Sequence, residues 1–325
     1  MHSAMRIQMP KLSPRFVILT LQKYWYLFLF GILFTLLFAD YLFRGRDKVI
    51  LPDYSRYNQQ EIMLTVPPFQ LFERRFRTSP KHKINACVIE KNTNTVLTGI
   101  IYLYNPERFK AENRNVNTEV HATRLCEDQN EPWFFMNGST DLREINEWLH
   151  LAISRDPFER FISGFVDKCI IERTFTRANR KTACNGCGSS IVCFIHREYD
   201  RMMRFARGEP LNSFDDRHFF PQNWRCDFKN HFNKFKILRY SSSSDGIKKF
   251  WGEFFDVLQQ RNVSSTDIGF LKGQVFGTRT VHATSASAYR QKYELRVRRD
   301  PLLMRMLIRM YYYDWLIFNY PLPEV

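Results

Sequence analysis

Residues 149–165, Leu-His-Leu-Ala-Ile-Ser-Arg-Asp-Pro-Phe-Glu-Arg-Phe-Ile-Ser-Gly-Phe, constrain this chain more than any other stretch. Leu149, Leu151 and Ile153 alternate as the residues of a strand do. Asp156 then stands as a helix N-cap, with Pro157 in the first turn. Phe158, Phe161, Ile162 and Phe165 follow at helical spacing. The pattern predicts a strand that runs directly into a helix, with Arg155 at the junction and Ser163 eight residues on. One cation and one hydroxyl near a helix N-terminus favour a bound anion. The plainer reading is a buried junction whose arginine pairs with an acid.

A second junction lies upstream. Residues 84–90, Ile-Asn-Ala-Cys-Val-Ile-Glu, form a short apolar run that predicts a buried strand. Lys91, Asn92, Thr93, Asn94 and Thr95 make a polar loop, and residues 96–103 present the apolar face of a helix. Strand, loop and helix have the layout of a phosphate cradle, in which backbone N–H groups and the positive helix end face the anion and Lys91 adds a charge. The glycines and the Gly-Lys-Ser/Thr ending of a nucleoside-triphosphate P-loop are absent. Further along, residues 235–240 read as a strand, and a serine run at 241–244 precedes a helix over 247–258. This alternation predicts an α/β fold with a central parallel sheet flanked by helices. The roughly 245 residues after position 80 suffice for a single domain with a sizeable core.

The N-terminal part reads differently. Fifteen uncharged residues run from Tyr24 to Phe38, and the span extends to Phe43 if Asp40 sits at the far interface. About twenty residues cross a bilayer, so residues 24–43 are expected to be a transmembrane anchor, entered through Tyr24, Trp25 and Tyr26. A cleaved signal peptide is the competing reading, disfavoured by the long run and the missing small-residue cleavage site. Residues 1–23 would be a cytoplasmic tail, 44–80 a proline- and arginine-bearing stem, and 81–325 a lumenal domain. Two sequons, at Asn137 and Asn262, agree with that side of the membrane. Of seven cysteines, Cys169, Cys184, Cys187, Cys193 and Cys226 cluster, and disulfides are the simpler use of them than a zinc site, whose second ligand pair is missing. Cys87, inside an apolar strand, is expected to be the unpaired buried thiol. The net charge of +15, with 30 Phe and 15 Tyr, also fits a nucleic-acid binder. An anchored lumenal domain meets no nucleic acid, however, and its basic charge suits a phosphorylated donor and an acidic polysaccharide instead.

Together the two junctions resemble the nucleotide-binding halves of the carbohydrate sulfotransferases, the membrane-bound Golgi branch that includes chondroitin and dermatan sulfotransferases. The run Arg155-Asp-Pro-Phe-Glu-Arg160 followed by Ser163-Gly-Phe carries the likeness, with Lys91 and Thr95 upstream. His218-Phe-Phe-Pro221 with Cys226, and the closing Tyr311 to Tyr313, Asp314 and Phe318-Asn-Tyr320, extend it over residues 84–320. The resemblance implies a P-loop-like nucleotide-binding fold, with 3′-phosphoadenosine 5′-phosphosulfate (PAPS) as donor and no metal. It implies that Lys91, with Asn92, Thr93, Asn94 and Thr95, holds the 5′-phosphosulfate end, and that Arg155 and Ser163 hold the 3′-phosphate. Thr93 departs from the pattern, because a Gly is usual there. Lys91 is then expected to stabilise the departing phosphate oxygen, and His218 to act as the base, with His121 as the runner-up. The expected acceptor is an acidic glycan such as chondroitin, in a groove that residues 173–181 and 290–299 could line, and the expected location is the Golgi membrane, single-pass type II. Two alternatives stay open: a Golgi glycosyltransferase, although the chain has no Asp-x-Asp motif, and a catalytically silent, membrane-anchored carbohydrate-binding protein.

Overall fold

The computed structural model describes residues 63–117, 119, 124–125, 129, 146–172, 183–277 and 287–324. The tail at 1–23, the anchor at 24–43, His121, Cys126, the sequon at Asn137 and the basic segment 173–181 lie outside the described residues. Among the described residues, no helix is long and apolar enough to cross a membrane.

The sheet comes first. Strands β1 (Phe76–Ser79), β2 (Ile84–Cys87), β3 (Leu149–Arg155) and β4 (Phe235–Tyr240) lie side by side in that order. β2, β3 and β4 are parallel, as expected. β1 is antiparallel to β2, with Phe76 opposite Cys87 and Ser79 opposite Ile84, so the sheet is mixed. The cause is the connection. Pro80–His82 makes one tight turn, closed by Lys83 in the left-handed region donating its N–H to the Pro80 carbonyl, and so short a link joins only antiparallel neighbours. β1 lies within the 44–80 segment and pairs with β2 in the sheet. The backbone N–H of Val66 bonds the Arg309 carbonyl, which ties the chain down well before residue 81.

Helices fill the crossovers. α1 (Asn94–Tyr104) and α2 (Pro106–Ala111) follow β2. α3 (Pro157–Phe165) follows β3 and passes without a break into a π-helical turn, Val166–Ile171. Next come α4 (Ile191–Ala206), α5 (Phe214–Phe219) and the short α6 (Phe228–His231) before β4. After it lie α7 (Ser244–Gln260), α8 (Ser265–Gly277), α9 (Ala288–Arg298) and α10 (Pro301–Ile317).

Period-two alternation divides the strands between two faces. Ile84, Ala86, Leu151, Ile153 and Leu238 pack with Val96, Ile100, Leu103, Phe250, Phe254, Leu258 and Leu271, from α1, α7 and α8. Cys87 and Ala152 face the other way, against Phe76, Phe228 and Phe318. A third, aromatic-rich cluster joins α3, α4, α5 and α10 through Phe161, Phe165, Phe194, Phe219, Leu307 and Trp315.

The disulfides follow this division. Cys169 pairs with Cys184 and Cys187 with Cys193. Cys87 is not a free thiol: it pairs with Cys226, 139 residues away. Its place on the second sheet face sets it against the segment that crosses beneath, where the Cys226 N–H bonds the Glu73 carbonyl.

Candidate active site

Both sequence junctions open at the carboxyl end of the parallel strands, where α/β sheets bind ligands. The Asp156 carboxylate accepts from the Glu159 N–H at 2.9 Å and caps α3, with Pro157 in its first turn. Arg155 thereby ends β3 with its side chain turned toward the neighbouring loop, and its Nη1 donates to the Lys91 carbonyl at 3.1 Å. The two predicted anion sites are one place.

The loop after β2 is tightly shaped. Lys91 and Thr93 have φ of 70° and 67°, unusual for residues with a side chain and strained for a β-branched one. Thr93 thus adopts the backbone for which the family pattern uses a glycine. It precedes α1 without capping it through its side chain, so no hydroxyl of Thr93 covers the first-turn N–H groups. Asn94 and Thr95 open α1, and their side chains lie outside the described residues. Asn92 anchors the loop. Its side chain is buried and donates to the Ile153 carbonyl and to Gln222 Oε1, both at 2.6 Å, while its N–H bonds the Ile89 carbonyl. Asn92 holds the loop onto β3; its donors are committed to the protein.

The Lys91 side chain is 10% exposed and its Nζ lies 2.6 Å from Asp167 Oδ2. Burial holds its pKa below the usual lysine range, opposed by Asp167 and reinforced by the charges of Lys168 and Arg155. Arg155 is also buried, at 7% exposure, and burial likewise lowers its pKa, with Glu159 opposing and Arg290 adding to the effect. The carboxylate nearest it, Glu159, stands 3.6 Å from Nε, too far for a hydrogen bond, and that Nε has no hydrogen-bond partner. Arg290, on α9, repeats the situation: 8% exposed, 3.8 Å from Glu294, with Nη1 unpartnered. Two buried guanidinium groups, each in a loose ion pair and each with one nitrogen lacking a hydrogen bond, keep donors that an anion can satisfy. Ser163 is buried on α3, one turn beyond Glu159.

His218 ends α5 and stacks on Phe214, ring centroids 4.4 Å apart. Its Nδ1 lies 2.7 Å from the Phe214 carbonyl, an acceptor only, so Nδ1 carries the proton and Nε2 is left as a base. Burial pushes the imidazole pKa down to about 3; Glu90 opposes this, and Lys168 and Lys91 add to it. His218 therefore sits in the same field of charge as Lys91.

Several residues that hold the site together have no local sequence signal. Arg160 is buried and donates to three carbonyls: Glu90 and Phe220 from Nε and Nη1, and His218 from Nη2, each at 3.1 Å. It clasps the Lys91 loop and the His218 segment to α3. Gln222 accepts the Arg155 N–H at 3.0 Å and donates to the Arg155 carbonyl at 2.9 Å, so it extends the ladder of β3. Asp314, from α10, accepts from the N–H groups of Gln222 and Asn223, and Tyr311 donates to the Phe219 carbonyl. The closing aromatic helix thus supports the His218 segment from behind. Glu90, just before Lys91, is gripped by Arg75 at 2.7 Å and Arg225 at 3.1 Å.

A model of the sulfotransferase family matches residues 74–321, which takes in the whole sheet and both junctions. The chain belongs to the sulfotransferase family. This sulfotransferase is 37% identical over 265 residues to an uncharacterized Caenorhabditis elegans protein, C18B2.2, covering 80% of the chain and 72% of the relative. It is 31% identical over 241 residues to the putative sulfotransferase vep-2 of the same organism, covering 71% and 73%. It is 28% identical over 267 residues to the C. elegans carbohydrate sulfotransferase chst-1, covering 78% of each. No solved structure matches it.

Proposed function

We propose that this sulfotransferase transfers a sulfuryl group from PAPS to a hydroxyl of an acidic glycan. The observation that carries the reading is the pair of buried guanidinium groups, Arg155 and Arg290, each with an unpartnered nitrogen, beside a loop that presents Lys91. Such a site fits a ligand with phosphate at two ends. Arg155, Arg290 and Ser163 would hold the 3′-phosphate, and Lys91 with the opening turn of α1 the 5′ end. The donor supplies an activated sulfuryl group whose leaving group is a phosphate. The Lys91 ammonium offsets the charge that develops on that phosphate oxygen, and His218 Nε2, whose low pKa the negative charge of the bound donor would raise, takes the proton of the acceptor hydroxyl. The fixed Arg155 and Arg160 bonds keep these groups in register.

The glycan assignment is supported by the name of the relative chst-1 and by a basic groove. Lys292 and Arg296 on α9 and Arg299 just after it line it with Ser189 and Ser190 just before α4. A chain of net charge +15 attracts a polyanionic acceptor to such a groove. In this reading residues 24–43 anchor the enzyme in the Golgi membrane as a single-pass type II protein, with the catalytic body and the Asn262 sequon in the lumen. The test is transfer of labelled sulfate from PAPS by the full-length chain to a panel of chondroitin, dermatan and neutral glycans. The expected result is labelled glycosaminoglycan, reduced about 100-fold or more in Lys91→Ala. Failure of a folded, donor-binding chain to label any glycan would overturn the acceptor class.

A further inference from the structure

The π-helical turn after α3 places two residues against Lys91 that neither junction contains. Asp167 Oδ2 accepts from Lys91 Nζ at 2.6 Å and forms an ion pair with Lys168 Nζ at 3.0 Å. One carboxylate oxygen therefore lies between two ammonium groups on side chains each 10% exposed, with Lys168 also paired to Glu172. Ordinary α-helical geometry turns consecutive side chains about 100° apart; the wider π-turn, a feature found often at functional sites, accompanies their convergence here. Lys168 Nζ also lies over the Phe214 ring, 5.6 Å from its centroid, and His218 stacks on the same ring at 4.4 Å. Lys168 thus stands between the lysine of the donor loop and the imidazole.

We propose that Lys168 is a second catalytic cation for the transferring sulfuryl group, and that Asp167 holds the two lysines in position until the sulfuryl oxygens share them. The inference rests on the donor assigned above. In the transfer, the acceptor oxygen forms a bond to sulfur as the bond from sulfur to the donor's 5′-phosphate oxygen breaks. The electron pair of the broken bond stays on that phosphate oxygen beside Lys91, and the hydroxyl proton passes to His218 Nε2. The sulfuryl oxygens, between donor and acceptor, lie within the field of Lys168. An anionic oxygen is already accommodated there, in the form of the Asp167 carboxylate.

Lys168 would then contact the sulfuryl group and not the nucleotide, which defines the test. Binding of PAPS and of 3′-phosphoadenosine 5′-phosphate, which lacks the sulfuryl group, is measured by calorimetry on the full-length chain for wild type, Lys168→Met and Lys168→Arg. Turnover is measured alongside. The proposal expects Lys168→Met to bind the desulfated nucleotide within about twofold of wild type. PAPS affinity should fall about tenfold and kcat about 100-fold, with partial recovery in Lys168→Arg. Equal effects on the two nucleotides, or unchanged PAPS binding and turnover, would overturn it. If the wild type binds neither nucleotide, the donor assignment itself is wrong and this inference goes with it.

Discussion

At the scale of single residues, His218 gives the pH behaviour a definite sign. Its pKa is about 3 in the folded chain, against an ordinary value near 6.5. Between these values the unfolded chain binds the extra proton, so the contribution of His218 to stability is complete above about pH 6.5 and is lost as pH falls toward 3. Denaturant unfolding from pH 7 to 4 should show a steeper decline for wild type than for His218→Asn. Parallel curves would mean that the imidazole is not held neutral. The residue-level chemistry was legible where it is local: the Asp156 cap and the position of Arg155 at the strand end follow from neighbours in sequence. Asn92 was not, because the direction of its side chain is decided by Gln222, 130 residues away. Arg160 stood inside the quoted motif, yet its role depends on carbonyls of two remote segments.

At the scale of elements, α3 is the organiser. Its N-terminus directly follows Arg155 at the end of β3, and its Arg160 holds two further segments in place. Replacing Arg160 by Met keeps the apolar stem but strands three carbonyls, each bond worth about 1 kcal/mol and each buried orphan costing more. Arg160→Met should therefore lose on the order of 3 kcal/mol in denaturant unfolding, with turnover falling further than stability. A loss under about 0.5 kcal/mol would show that the clasp is not formed. The helices after β2, β3 and β4 and the three parallel strands were readable, because apolar alternation and helical spacing mark them. β1 was not: Phe76-Arg-Thr-Ser has a single large apolar side chain, and it becomes a strand by pairing its backbone with β2 through a tight turn. The π-turn at 166–171 continues the helical spacing of α3, so its different geometry has no separate sequence mark.

For the whole molecule, the Cys87–Cys226 bond connects the end of β2, four residues before Lys91, to the segment that follows the His218 run. A cross-link over so long a loop stabilises chiefly by restricting the unfolded chain. The double variant Cys87→Ala, Cys226→Ala should cost about 2–5 kcal/mol in thermal or denaturant unfolding, and a change below 1 kcal/mol would place the stabilisation elsewhere. Three such bonds suit an oxidising compartment, which supports the lumenal location proposed above. The pairing was hidden in the sequence because Cys87 sits alone in an apolar strand, and only the folded sheet shows what passes beneath it.

The central claim is that Arg155 and its neighbours form the 3′-phosphate site of a PAPS-dependent enzyme. Calorimetric titration of 3′-phosphoadenosine 5′-phosphate into the full-length chain, beside Arg155→Met, tests it most directly. The account predicts one site per chain, weakened about 100-fold or more in a variant that remains folded under the titration conditions. Equal binding by both proteins, or none by a folded wild type, would contradict it.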